Sequence, residues 1–179
     1  MAEDRPVAAA GTSAPGSSGA DRGASGSPAA GSGAPGPEVA ALQQALAAEH
    51  VAVWGYGTVG AALAAGARTP ATTAEQAHRT VRDQLTALLV DRGAQPVQPS
   101  GGYALPFPVL SAVDAARLAV TLEEGTARAW AWVLDQATAR PTRVLAVSVL
   151  GDAEVRAVGF RALAGTTPVT SAFPGLPST

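Results

Sequence analysis

Five ionisable residues stand where helical periodicity calls for apolar ones, and their chemistry is the first question. Glu49 comes three residues after Leu46 and four before Val53, with Tyr56 one turn further on. Glu75 and His78 are three apart, so a helix presents them on one face. Of the pair Glu123–Glu124, Glu123 shares its face with Ala119, Val120, Ala127, Trp130 and Leu134. Glu124 shares its own with Arg117, Arg128 and Asp135, a solvated face. Glu154 follows Leu150 and precedes Val158, with Asp152 as the competing choice. Buried charges are paired or coordinate a metal. Four carboxylates and one imidazole suit a hard or borderline ion such as iron or manganese. Glu49, Glu75, His78, Glu123 and Glu154 are therefore candidate metal ligands. The chain has no cysteine, which excludes thiolate sites, iron–sulfur clusters, disulfides and cysteine nucleophiles. The other histidine, His50, points about 100° away from Glu49 on a helix and cannot join it.

These residues need helices to hold them. The pattern predicts four. The first runs from Glu38, after Pro37, to about Gly66, with Leu42, Leu46, Val53, Tyr56, Gly60 and Leu63 on one face. Gly55, Gly57 and Gly60 weaken it and point to close approach by a neighbour or a local distortion. The second runs from Thr69 or Thr72 to Arg92, stopped by Gly93, with His78, Val81, Leu85 and Leu88 as its stripe. Pro96, Pro99, Pro106 and Pro108 forbid a helix over the next stretch, whose segment 103–108 is expected to lie on the bundle. Ser111 and Asp114 form a capping box for a third helix, which Arg140–Pro141 ends. The fourth runs from about Thr142 to Ala164, closed by Gly165.

The expected architecture is all-α: a four-helix bundle over 38–165 with a long crossover connection between helices 2 and 3. Residues 1–37 are almost all Ala, Gly, Ser and Pro and are expected to be a disordered tail. Residues 166–179 are expected to pack back on the bundle, pinned by Phe173 and Leu176. Hydrophobic residues make up 47% of the chain and charged ones 15%, with a net charge of −2. The basic residues are all arginine and scattered, so no nucleic-acid or membrane surface is expected. No secretory signal and no convincing membrane span is visible, which reads as a cytoplasmic protein.

The set Glu49, Glu75-x-x-His78, Glu123 and Glu154 resembles the ligand pattern of the ferritin-like di-iron proteins, which have a Glu-x-x-His on the fourth helix as well as the second. The resemblance implies a carboxylate-bridged di-iron, or manganese, centre reacting with oxygen or peroxide. It breaks at Ala157, where the fourth-helix histidine should stand. A second resemblance rests on the segment 48–57 (AEHVAVWGYG), on Ala77-His78-Arg79 with Arg82-Asp83, on Tyr103-Ala-Leu-Pro-Phe-Pro108 and on Ala172-Phe-Pro-Gly175. These are similar to an actinobacterial family of ferritin-like domains of unknown function. That family implies the fold and no activity, cofactor or partner.

Plainer readings compete. Glu75 closes a possible capping box with Thr72, His78 can be a core histidine bonded to Glu49, and Arg82 or Arg161 can neutralise the carboxylates without metal. Trp54, Trp130 and Trp132 read as packing residues. The weight of these readings falls on a metal-free bundle acting as a binding or scaffolding module, with the di-iron protein as the alternative. Whether the chain is an enzyme is left open, and a homodimer is expected by analogy only.

Overall fold

The computed structural model describes residues 35–176, so the tail expected over 1–37 lies almost wholly outside the described residues. Among them are four long α-helices and no strand: α1 (Pro37–Ala62), α2 (Thr69–Asp91), α3 (Ala112–Gln136) and α4 (Arg140–Leu163), with a 3-10 turn at Ala65–Ala67. No described helix is long and apolar enough to cross a membrane.

Two apolar clusters organise the bundle. At one end Leu42 and Leu46 of α1, Leu85 and Leu89 of α2, Trp130 and Val133 of α3, and Val149 of α4 pack together. At the other, Tyr56 and Val59 of α1, Ala74 of α2, Leu118 and Leu122 of α3, and Phe160 of α4 do so. Each large aliphatic group buried this way contributes roughly 1.5–3 kcal/mol. Membership of the clusters gives the directions: α1 and α4 start at the first end, while α2 and α3 finish there. The connection 92–111 makes contacts beside α1. Gln43 donates to Gln95 O and accepts from Val97 N, His50 meets Val97 O at 3.2 Å, and Tyr103 packs on Trp54 with ring centroids 5.6 Å apart. Phe107 and Val109 then close onto the second cluster.

The helix ends follow local chemistry. Gly93 and Gly165 adopt φ of 70° and 68°, left-handed values that a Cβ would strain, just after α2 and α4. Ser111 accepts from Asp114 N at the start of α3, and Asp114 in return accepts from the Ser111 hydroxyl and from Leu110 N.

Some boundaries differ from expectation. α1 ends at Ala62 and not near Gly66, because the chain turns extended at Leu63. Its buried face is Leu42, Leu46, Glu49, Ala52, Tyr56 and Val59, so Gly60 and Leu63 drift off the stripe. α2 begins at Thr69 with Pro70 in its first turn, which leaves no capping role for Thr72 and Glu75. α3 stops at Gln136, and Arg140–Pro141 begin α4 instead of ending α3; proline suits a first turn because its missing N–H has no helical partner there. Phe173 and Leu176 do not pin the last residues, being 70% and 58% exposed. Polar contacts hold that segment: buried Arg161 donates to Val169 O, and Ser171 N donates to Glu154.

Candidate functional site

Between the two apolar clusters lies a layer of buried polar side chains. Glu49 from α1, His78 from α2 and Glu123 from α3 are each buried to within 1%. Apolar neighbours one turn before and after each of them carry it inward, as periodicity requires. His78 joins the carboxylates: Nδ1 is 2.7 Å from Glu49 Oε2, and Nε2 is 3.2 Å from Glu123 Oε1. Trp130 Nε1 donates to Glu49 Oε1 at 2.8 Å, so both oxygens of Glu49 are satisfied. Glu123 Oε1 also accepts from the Tyr56 hydroxyl at 2.5 Å and from Arg156 Nε at 2.9 Å. The Tyr56 ring stacks on His78 with centroids 5.4 Å apart and packs on Phe160 at 5.8 Å. Glu123 Oε2 is buried with no hydrogen-bond partner among the described residues.

The protonation states follow from this geometry. Burial alone would lower the His78 pKa, but the hydrogen bonds and charges of Glu123 and Glu49 outweigh it and hold it at about 9. The ring is an imidazolium at neutral pH, with both nitrogens donating. Burial pushes Glu123 up, yet its bonds to His78 and Arg156 leave it below the ordinary carboxylate value. Burial, then the Glu123 charge, push the Tyr56 phenol well above its usual range, so it stays a donor. Burial opposes the charge on Arg156, and Glu123 more than restores it. Two carboxylates thus face one imidazolium and one guanidinium.

The five sequence candidates separate here. Glu49, His78 and Glu123 converge. Glu75 pairs with Arg79 one turn away, at 2.5 Å. Glu154 accepts from Arg161 Nη1 at 2.8 Å and anchors the C-terminal segment. The buried face of α4 runs through Val149, Ala153, Ala157 and Phe160, one residue round from Glu154. Arg82 pairs with Asp83 at the surface, and His50 is half-buried beside the connection.

Arg156, which sequence reasoning passed over, is the residue α4 sends to the cluster. It comes three residues after Ala153 and four before Phe160, which places it beside the buried arc once the structure shows that arc. Trp130 was read as packing and is also a hydrogen-bond donor.

A metal needs several donor atoms with free lone pairs converging on one point. Here His78 has none to give, Glu49 has both oxygens engaged, and one Glu123 oxygen takes three donors. Among the described residues no group of three or more His, Cys, Asp and Glu is arranged to hold a metal ion. The residues present do not fit a di-metal centre in this arrangement.

Comparison with known proteins gives a family and no activity. A conserved hypothetical protein, rv2844, from Mycobacterium tuberculosis has a similar crystal structure, with a TM-score of 0.69 and 38% sequence identity over 71% of this chain and 96% of that one. No curated protein matches the sequence. Residues 41–178 match the model of a family described as Domain of unknown function (DUF4439). The chain belongs to that family.

Proposed function

We propose that this protein is a ferritin-like four-helix bundle, with residues 92–111 as its crossover connection, that works without a metal as a binding module. The observation carrying the reading is the triple occupancy of Glu123 Oε1 by Tyr56, His78 and Arg156. A guanidinium takes the position from which a cation would neutralise that carboxylate. The cluster of Glu49, Glu123, His78 and Arg156 is already neutral, and a divalent ion would leave it with uncompensated positive charge in a buried layer, which is costly. The ferritin-like ligand pattern supports the same reading when laid on the buried face of α4. Its fourth-helix Glu-x-x-His then falls on Ala153-x-x-Arg156, which keeps neither ligand. On α2 only His78 of the Glu-x-x-His pair faces inward.

The test is the metal content of purified protein after anaerobic incubation with ferrous iron, and separately manganese, followed by desalting. The expected result is no stoichiometric metal. About two irons per chain would overturn the reading in favour of a carboxylate-bridged di-iron protein.

A further inference from the structure

We propose that the groove between α2 and α4 binds a single-chain monocarboxylate, with its hydrocarbon chain in the groove and its carboxylate on the outward nitrogens of Arg156. The inference deepens the binding-module reading and rests on it, because Arg156 is held in this position, with Nε on Glu123, only if no metal displaces it.

The groove comes from the way the helices meet. α1 packs on α2 and on α3, and α3 packs on α4. α2 and α4 instead leave a channel of about 600 Å³. A second recess of about 310 Å³ adjoins it through the shared residues Pro70, Phe160 and Leu163. Small-molecule sites are clefts of roughly this size, mostly apolar, with a few placed polar groups that orient the ligand. The walls answer to that description. Val155 and Leu163 are 73% and 61% exposed on α4, an apolar cost that a covering hydrocarbon would remove.

Among the described residues Arg156 is the one charged residue lining the groove, and Thr69 and Thr73 are the only other polar ones. Its Nε is spent on Glu123. Its two Nη nitrogens make no hydrogen bond to any described residue, yet they are not among the sealed, partnerless atoms of the interior. Arg156 lines the groove and its side chain is 21% exposed, which leaves these nitrogens available to it. A planar pair of N–H donors matches the two oxygens of a carboxylate, which fixes both the sign and the shape of the head group. A cationic head would be repelled, and a neutral one would leave these donors covered and unpaired.

The test is calorimetric titration of the full chain with decanoate below its micellar concentration, beside 1-decanol and the decyltrimethylammonium cation. One decanoate per chain is expected, with at least tenfold weaker binding of the alcohol and none of the cation. Gly159→Leu is chosen because the helix backbone accommodates it: a Cβ at Gly159 meets nothing within 4 Å, and leucine is the better helix former. It fills the groove and should weaken decanoate at least tenfold, as should Val155→Asp. Equal binding of decanoate and decanol, unchanged binding by Gly159→Leu, or no binding at all overturns the proposal. A solution dimer that Gly159→Leu converts to monomer also overturns it, because a second copy then covers the groove. Metal analysis of the same samples separates the two failures: no decanoate binding by iron-free protein ends this proposal alone, whereas two irons per chain end the reading beneath it as well.

Discussion

Trp130 on α3 and Glu49 on α1 are joined by a 2.8 Å hydrogen bond from the indole Nε1 to Oε1, with both residues at 0% exposure. The bond locks two helices at the boundary between the first apolar cluster and the polar layer. Glu49 simultaneously holds His78, so one carboxylate ties α1 to both α2 and α3.

Replacing Glu49 should therefore act on stability. Glu49→Leu leaves the His78 Nδ1–H and the Trp130 N–H buried without an acceptor and removes one of the two carboxylates facing the imidazolium, at a cost of about 3–5 kcal/mol. Trp130→Phe removes only a neutral donor and packing, and should cost less. Urea unfolding followed by far-UV circular dichroism measures both. A Glu49→Leu protein as stable as the parent would show that the network contributes nothing net.

Stability should fall on the alkaline side of neutrality. His78 titrates near 6.5 in an unfolded chain and at about 9 in the fold. Below 6.5 both states hold the proton and the contribution is complete. As pH rises towards 9 the unfolded chain releases its proton first, so unfolding becomes easier, by at most about 1.4 kcal/mol per pH unit. Above that range the contribution is gone. Denaturant midpoints across this window should decline in the parent and stay flatter in His78→Gln.

Gly55 and Gly57 should respond in opposite directions. A Cβ at Gly55 would meet both Leu122 methyls at 2.7 Å, so Gly55→Ala forces a repacking worth about 1–3 kcal/mol against the fold. A Cβ at exposed Gly57 meets nothing within 4 Å, and Gly57→Ala should stabilise by roughly 0.4–1 kcal/mol. Thermal unfolding of the two variants side by side separates close approach from mere helix weakness.

Glu38 should prove to be the cap of a helix other than its own. Its carboxylate, in the first turn of α1, accepts from Thr138 N, Ala139 N and the hydroxyls of Thr138 and Thr142, and pairs with Arg92 at 2.8 Å. α4 has no side-chain cap of its own. Burial raises the Glu38 pKa, but the bonds from Thr142 and Thr138 outweigh it and bring it to about 2. Its contribution is present above pH 4.5 and is lost as pH falls towards 2. Glu38→Gln should cost about 1.5–3 kcal/mol at neutral pH, with hydrogen exchange accelerated in the first turn of α4.

The sequence by itself determined where the helices lie and which groups α1, α2 and α3 turn inward. His78 and Glu123 sit between apolar residues on helices whose other face is polar, so periodicity has a definite phase there, while on α1 the spacing of Leu42, Leu46 and Tyr56 places Glu49 on their face. The left-handed stops at Gly93 and Gly165 are equally local, because backbone sterics alone select glycine there. Only the tertiary structure decided the phase of α4. That helix exposes Val144, Val147, Val155 and Leu163 while burying Val149, Ala153, Ala157 and Phe160. A helix with apolar residues all round carries no sequence signal for which arc faces the core, and a reading from Leu150 and Val158 lands on Glu154. Packing against α3 resolves it, since Glu123 sits in a layer where a buried carboxylate needs a cation and Arg156 is the α4 residue within reach. The same holds for Glu38 and Glu154, whose partners Arg92, Thr138, Thr142 and Ser171 N are set by how distant segments are brought together, whereas Glu75 meets Arg79 one turn along α2, a pairing local to the helix.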